Sequence, residues 1–137
     1  MANSFIVAGG SAIAERRGSR TPLGIVHSMP SSFATVLTAN GEIDYNTVGA
    51  FREHLGYAIA TSTRLVVVDL SRLTFFSISG LQAILDADDD ARRRQRVLRV
   101  VTGARCVDRL IELCGQATDL ETAKTIAAAC KPMPWAV

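Results

Sequence analysis

Apolar positions become periodic only from Leu23 onward. Residues 1–22 carry Gly9, Gly10, Gly18, Pro22 and mixed charge without a sustained period, and are expected to form a poorly ordered extension. Gly24–Met29 reads as a strand ended by Pro30 and two serines; Ala34–Ala39 reads as a second, punctuated by Asn40-Gly41. Val48, Phe51, Leu55, Ala58 and Ile59 recur in steps of three and four, the spacing that lays one apolar stripe along a helix. Asp44 is the expected N-cap of that helix, because its carboxylate can accept from backbone N–H groups of the next turn. Leu65-Val66-Val67-Val68 is an unbroken apolar run, the mark of a central strand covered on both faces. A connecting segment, Asp69–Ser77, should follow, then a second helix that buries Leu81, Ile84 and Leu85.

Val97–Val101 is a further strand, in which Arg99 requires one end or face to be wet. Val107, Leu110, Ile111 and Cys114 stripe a third helix stopped by Gly115. Thr118-x-x-Glu121 has the spacing of a capping box and predicts a last helix bearing Ala123, Ile126, Ala127 and Cys130. Pro132 and Pro134 end the order, leaving 132–137 as a tail in which Trp135 either caps an exposed seam or lies free. Strands alternating with helices predict an α/β domain over 23–131 with right-handed crossovers and a mostly parallel or mixed sheet. The length of 137 residues suits one domain with a real core.

Composition narrows the function classes. With 48% apolar and 20% charged residues the chain is of the folded kind. A net charge of +2 lacks the basic footprint of a direct nucleic-acid partner. Runs such as Leu65–Val68 are far short of the roughly 20 apolar residues that cross a bilayer. Phe5–Ala8 is too short for a signal core, and Arg16 and Arg17 follow it instead of preceding it. A cytoplasmic protein without a membrane partner is expected.

Candidate chemistry is sparse. Neither Gly-x-Gly-x-x-Gly nor the P-loop pattern occurs. Asp86, Asp88, Asp89 and Asp90 lack the turn glycine and terminal glutamate of a calcium loop. Asp88, Asp89 and Asp90 each stand four residues before Arg92, Arg93 and Arg94, as on a solvated, salt-laced helix face. Cys106, Cys114 and Cys130 form no CxxC pair, so they read as small buried hydrophobes in a reducing compartment. His27 and His54 are the only histidines, and neither sits in a nucleophile–base motif; they read as surface or internally satisfied. No metal, cofactor or catalytic residue is therefore expected, and the protein is not expected to be an enzyme.

Two segments add more. Thr35-Val36-Leu37-Thr38-Ala39-Asn40-Gly41-Glu42-Ile43-Asp44 is a strand running through Gly-Glu-Ile-Asp into a helix. The run from Leu65 to Leu81 is an apolar strand, Asp69-Leu70, a turn with Phe75 and Phe76, then Ser77-Ile78-Ser79-Gly80-Leu81 opening a helix. Together they resemble the signature segments of the STAS family (sulphate transporter and anti-sigma-factor antagonist), and the match in order and spacing extends over roughly 24–130. The resemblance implies a mixed, mostly parallel four- or five-stranded sheet flanked by about four helices. In antagonist members the surface around the second helix start docks onto a kinase-type anti-sigma factor, and a sigma factor is released. That partner phosphorylates a serine there, and a phosphatase reverses it. A helix N-terminus accommodates the anion, while roughly two added negative charges repel the docked partner.

Carried onto this chain, the partner-binding residues are Asp44, Ser77, Ile78, Ser79, Gly80 and Leu81. The chain departs from the family at the decisive place. Where the family has Asp-Ser-Ser-Gly, it has Ser77-Ile78-Ser79-Gly80, so the phosphoacceptor position carries Ile78 and no hydroxyl. Ser77 and Ser79 remain candidate acceptors, although one residue along a helix turns a side chain by about 100°. Ser79-x-x-Gln82 also has capping-box spacing. Ile78 itself is either exposed on the helix start or tucked into the core. A second functional reading is a small-molecule sensor, for a nucleotide or a lipid, with its ligand near the same helix start.

Overall fold

In the computed structural model, which describes residues 3–7, 22–62, 64–114 and 119–131, the apolar run at Leu65 lies inside a sheet. The strands are β1 (Asn3–Val7), β2 (Gly24–Met29), β3 (Ala34–Ile43), β4 (Leu65–Phe76), β5 (Val97–Val101) and β6 (Glu121–Ala123), and they neighbour one another in that order. β1–β2 and β2–β3 pair antiparallel; β3–β4, β4–β5 and β5–β6 pair parallel. Parallel neighbours need a crossover. α1 (Val48–Thr61), α2 (Ile78–Arg93) and α3 (Arg105–Leu113) supply the three, and α4 (Ile126–Ala129) follows β6. Among the described residues, the expected mixed, mostly parallel sheet with four helices is thus present. β2–β6 give five strands, and Asn3–Val7 adds a sixth.

The sheet buries both faces unequally. Leu37, Ala39, Val66, Val68, Leu70, Leu98 and Val100 meet Phe51, Leu55, Ala58 and Ile59 of α1 and Leu81 and Ile84 of α2 in the main core. The alternate residues Ala34, Val36, Leu65, Val67 and Val101 form a smaller cluster with Ala129 of α4. Coverage on both sides is why residues 65–68 are apolar without a break. Arg99 is on this second face, yet its side chain is only 15% exposed. It donates from Nη1 to the carbonyls of Ala129 and Lys131 and from Nε to Glu121 (3.0, 2.7 and 3.0 Å). The expected wet face is in fact closed by the C-terminal segment that Arg99 holds.

Four other expectations need correction. Asn40-Gly41 does not end β3, which continues to Ile43 with register shifts on either side of the pair. Gly41 has φ +99, and an added Cβ would lie 2.1 Å from the Pro22 carbonyl oxygen, so the glycine makes a bulge against a crossing backbone rather than a turn. Asp69–Phe76 is strand, not connection. It reads as loop because β5 pairing stops at Asp69, after which Ser71, Arg72 and Thr74 face solvent. The N-terminal extension contains β1, too short for a period to emerge. Glu121–Ala123 is β6 rather than helix; pairing with β5 overrides the capping-box spacing, and α4 starts at Ile126 with the Thr125 hydroxyl accepting from the Ala128 N–H (3.0 Å). Gly115, Thr118, Pro132, Pro134 and Trp135 fall outside the described residues.

The acidic run pairs as expected, Asp88–Arg92, Asp89–Arg93 and Asp90–Arg94 at 3.2, 3.5 and 3.4 Å, but Asp88 is not on a solvated face: its side chain is largely buried, and burial pushes its carboxyl up. The three cysteines are free and half-buried, and burial pushes the Cys106 and Cys130 thiols up. No helix among the described residues is long and apolar enough to cross a membrane.

Candidate functional site

β3 and β4 leave the sheet together. Ile43 pairs with Phe76, and the Ser77 N–H donates to the Ile43 carbonyl at 3.0 Å. Two helix starts therefore stand side by side, one reached through Asp44 and the other through Ser77.

Asp44 is buried, and its Oδ1 accepts from the Asn46 and Thr47 N–H groups (2.9 and 3.1 Å). Its main-chain carbonyl accepts from Val48 N–H at 2.9 Å. Asp44 thus ties the turn that leads into α1, but the N-cap position itself belongs to Thr47. The Thr47 hydroxyl donates to the Glu42 carbonyl and accepts from the Asp44 N–H, both at 2.9 Å. One turn of chain between Asp44 and Val48 is what the sequence pattern could not count.

Ser77 is the N-cap of α2, in extended backbone, with its Oγ accepting from the Gly80 N–H at 3.2 Å. Ser79 is not the cap. Its Oγ lies 2.7 Å from the Ser77 Oγ, while Gln82 turns away and donates to Asp86 at 2.9 Å, so the Ser79–Gln82 box does not form. The cause is the helix beginning at Ile78, two residues earlier than that box requires. Gly80 is buried where the helix meets the strand ends. A Cβ there would lie 2.7 Å from the Phe76 ring and 2.9 Å from Ile43 Cγ2. Leu81 enters the main core.

The six sequence-predicted residues therefore gather at one end of the sheet with different duties. Asp44, Gly80 and Leu81 are buried and build the place; Ser77 and Ser79 are half-buried and bonded to each other. Ile78 is 70% exposed, which removes the core alternative. Two exposed aromatics were not among the predicted site residues: Tyr45, 88% exposed in the Asp44 turn, and Phe75, next to the strand end. The signal was available in Tyr45, an aromatic placed in a turn outside any apolar period. A cleft of about 580 Å³ is lined by Gly103, Arg105, Asp108, Arg109, Glu112 and Leu113, none of them among these residues. Among the described residues no three metal-ligating side chains gather.

Comparison with known proteins matches residues 28–129 to the STAS domain. A curated relative, the Osmosensory protein A of Mycobacterium tuberculosis, is 34% identical over 83 residues, 61% of this chain and 52% of the relative. The chain thus spans about half the length of that relative. An anti-sigma factor antagonist from Mycobacterium paratuberculosis superposes with a TM-score of 0.71 at 23% identity, over 78% of this chain and 90% of the other. The Bacillus anti-sigma factor antagonist SpoIIAA, in its unphosphorylated form, gives a TM-score of 0.63 at 18% identity over 76% and 91% of the two chains. At such identities these structures establish a shared fold.

Proposed function

This chain belongs to the STAS domain family, and on that premise we propose that it is a regulatory binding module of the anti-sigma-factor-antagonist type. It binds a kinase-type anti-sigma factor through the surface around Tyr45, Ser77, Ile78 and Ser79, and a sigma factor is released. The observation that carries the reading is Ile78: a large apolar side chain, 70% exposed, on the first residue of a helix whose cap and seat are fixed around it. Ser77 caps the helix and Gly80 lets it sit tightly on Phe76 and Ile43, so the isoleucine is presented on rigid backbone. An exposed apolar group between two hydroxyls and near an exposed tyrosine has the make-up of an interface anchor with a polar rim.

The chain contributes contact, not chemistry, and it is not an enzyme. In the family's switch a phosphoserine repels the partner; at Ile78 there is no oxygen to phosphorylate, so that arm of the switch is missing. Binding is constitutive with respect to modification at this position, and a phosphatase has nothing to remove there. The hydroxyls of Ser77 and Ser79 are occupied with each other and with the helix cap, which makes them poor substitutes. Pull-down from the native cytoplasm with mass spectrometry of the bound fraction tests the reading. The expected catch is a kinase-like anti-sigma factor held without regard to phosphorylation. Recovery of a nucleotide or lipid and no such protein would favour the sensor alternative instead.

A further inference from the structure

The chain's two histidines, 27 residues apart in sequence, meet across the contact between sheet and helix. His27 Nε2 on β2 lies 3.0 Å from His54 Nδ1 on α1. Their ring centroids are 5.1 Å apart, and the Tyr57 ring stands edge-on to His27 at 5.3 Å. His27 is 3% exposed, whereas His54 is half-buried. We propose that this pair is an acid-operated latch, which ties α1 to β2 while neutral and pushes the two apart when both rings are fully protonated.

Counting protons gives the reason. Two neutral imidazoles carry two protons on four ring nitrogens, and the Nε2···Nδ1 contact needs one hydrogen between them. A third proton leaves the contact in place if it goes to a nitrogen outside it. A fourth forces a hydrogen onto both facing nitrogens, so two N–H bonds point at each other at 3.0 Å with two positive charges behind them. Little water reaches His27 to screen that repulsion.

Burial, then the charge of His54, lowers His27 from its ordinary value to about 4. Burial also lowers His54, against an upward pull from Glu53. Tyr57 is the other titratable group on α1 that faces the pair. Among the described residues, the strand positions paired with His27 are Phe5 of β1 and Leu37 of β3, and neither is titratable. The sign follows from linkage. An unfolded histidine takes up its proton near pH 6.5, the folded His27 only near 4. The stability His27 contributes is complete above 6.5 and is lost as pH falls from there toward 4. Between pH 7.5 and 5.0 this one group raises the unfolding constant by about 30-fold.

Urea unfolding of the whole chain at pH 7.5 and 5.0, for wild type and His54→Gln, tests the latch, together with NMR titration of the imidazoles. The expected results are a rise of at least about 30-fold in the wild type, His54 adding to the His27 contribution, and a smaller rise in the variant, where the burial of His27 remains and the charge of His54 is gone. In the wild type the His27 ring should stay neutral until about pH 5, moving upward in His54→Gln. Equal pH dependence in the two proteins would overturn the proposal. So would two wild-type histidines that titrate independently near 6.5, a result that decides the matter even if the variant fails to fold.

Discussion

Under the proposed function, the Ile78 side chain is what separates two kinds of regulation. A serine there would present its hydroxyl on the same rigid helix start, and Ile78→Ser should make the chain a better kinase substrate. With the cognate anti-sigma factor and ATP, we expect at least about a tenfold increase in phosphate incorporation over wild type, each 1.4 kcal/mol of improved fit giving a factor of ten. Wild-type labelling at Ser77 or Ser79 as strong as that of Ile78→Ser would show the isoleucine to be silent. Two residues on, Gly80 is held by contact rather than by backbone angle. Gly80→Ala places a methyl 2.7 Å from the Phe76 ring, and overpacking of this sort costs about 1–3 kcal/mol. The loss should be read in the urea midpoint; an unchanged midpoint would mean that Phe76 yields freely. Sequence reasoning located these residues but misassigned the cap. Ser77 and Ser79 are both good caps by type, and only the hydrogen bond from Gly80 N–H distinguishes them.

At the level of elements, legibility followed burial. β4 was recognisable from Leu65 to Val68, where both faces are covered, and lost beyond Asp69, where only β3 remains beside it. Alternation breaks down in such a half-paired strand, so the polar residues imitate a loop. β6 was missed for the opposite reason: three residues, Glu121–Ala123, carry a pairing decided by β5 and not by their own period. Arg99 was read as a sign of solvent because the sequence cannot show that carbonyls at the end of α4 come to meet it. The central placement of β4 has a direct test. Val67 is fully buried in the smaller core, and Val67→Asp puts a carboxylate there whose cross-strand neighbour, Arg99, is already held by Glu121 and the Ala129 and Lys131 carbonyls. A loss of more than about 3 kcal/mol is expected, enough to abolish the native thermal transition or lower it by well over ten degrees. Melting within a degree or two of wild type would remove β4 from the centre.

Across the whole molecule, parallel pairing of β3 with β4 is what brings the candidate site together from separate segments. It brings Asp44 and Ser77, 33 positions apart in sequence, to one end of the sheet, where one bond from Ser77 N–H to the Ile43 carbonyl joins their turns. The two signature segments allowed that juxtaposition to be anticipated, and Tyr45 could have been added from its place in a turn, whereas the histidine contact across the fold belongs to tertiary structure alone. The central claim is that Ile78 anchors a protein partner without being needed for folding. Its most direct test is binding of purified Ile78→Asp to the anti-sigma factor by calorimetry, with circular dichroism and melting recorded on the same sample. Truncation to Ala should cost about 1–3 kcal/mol of affinity, and Asp more, because a carboxylate would be desolvated without a mate. The account predicts lost binding with a melting temperature within a degree or two of wild type. Unchanged affinity, or a collapsed fold, would contradict it.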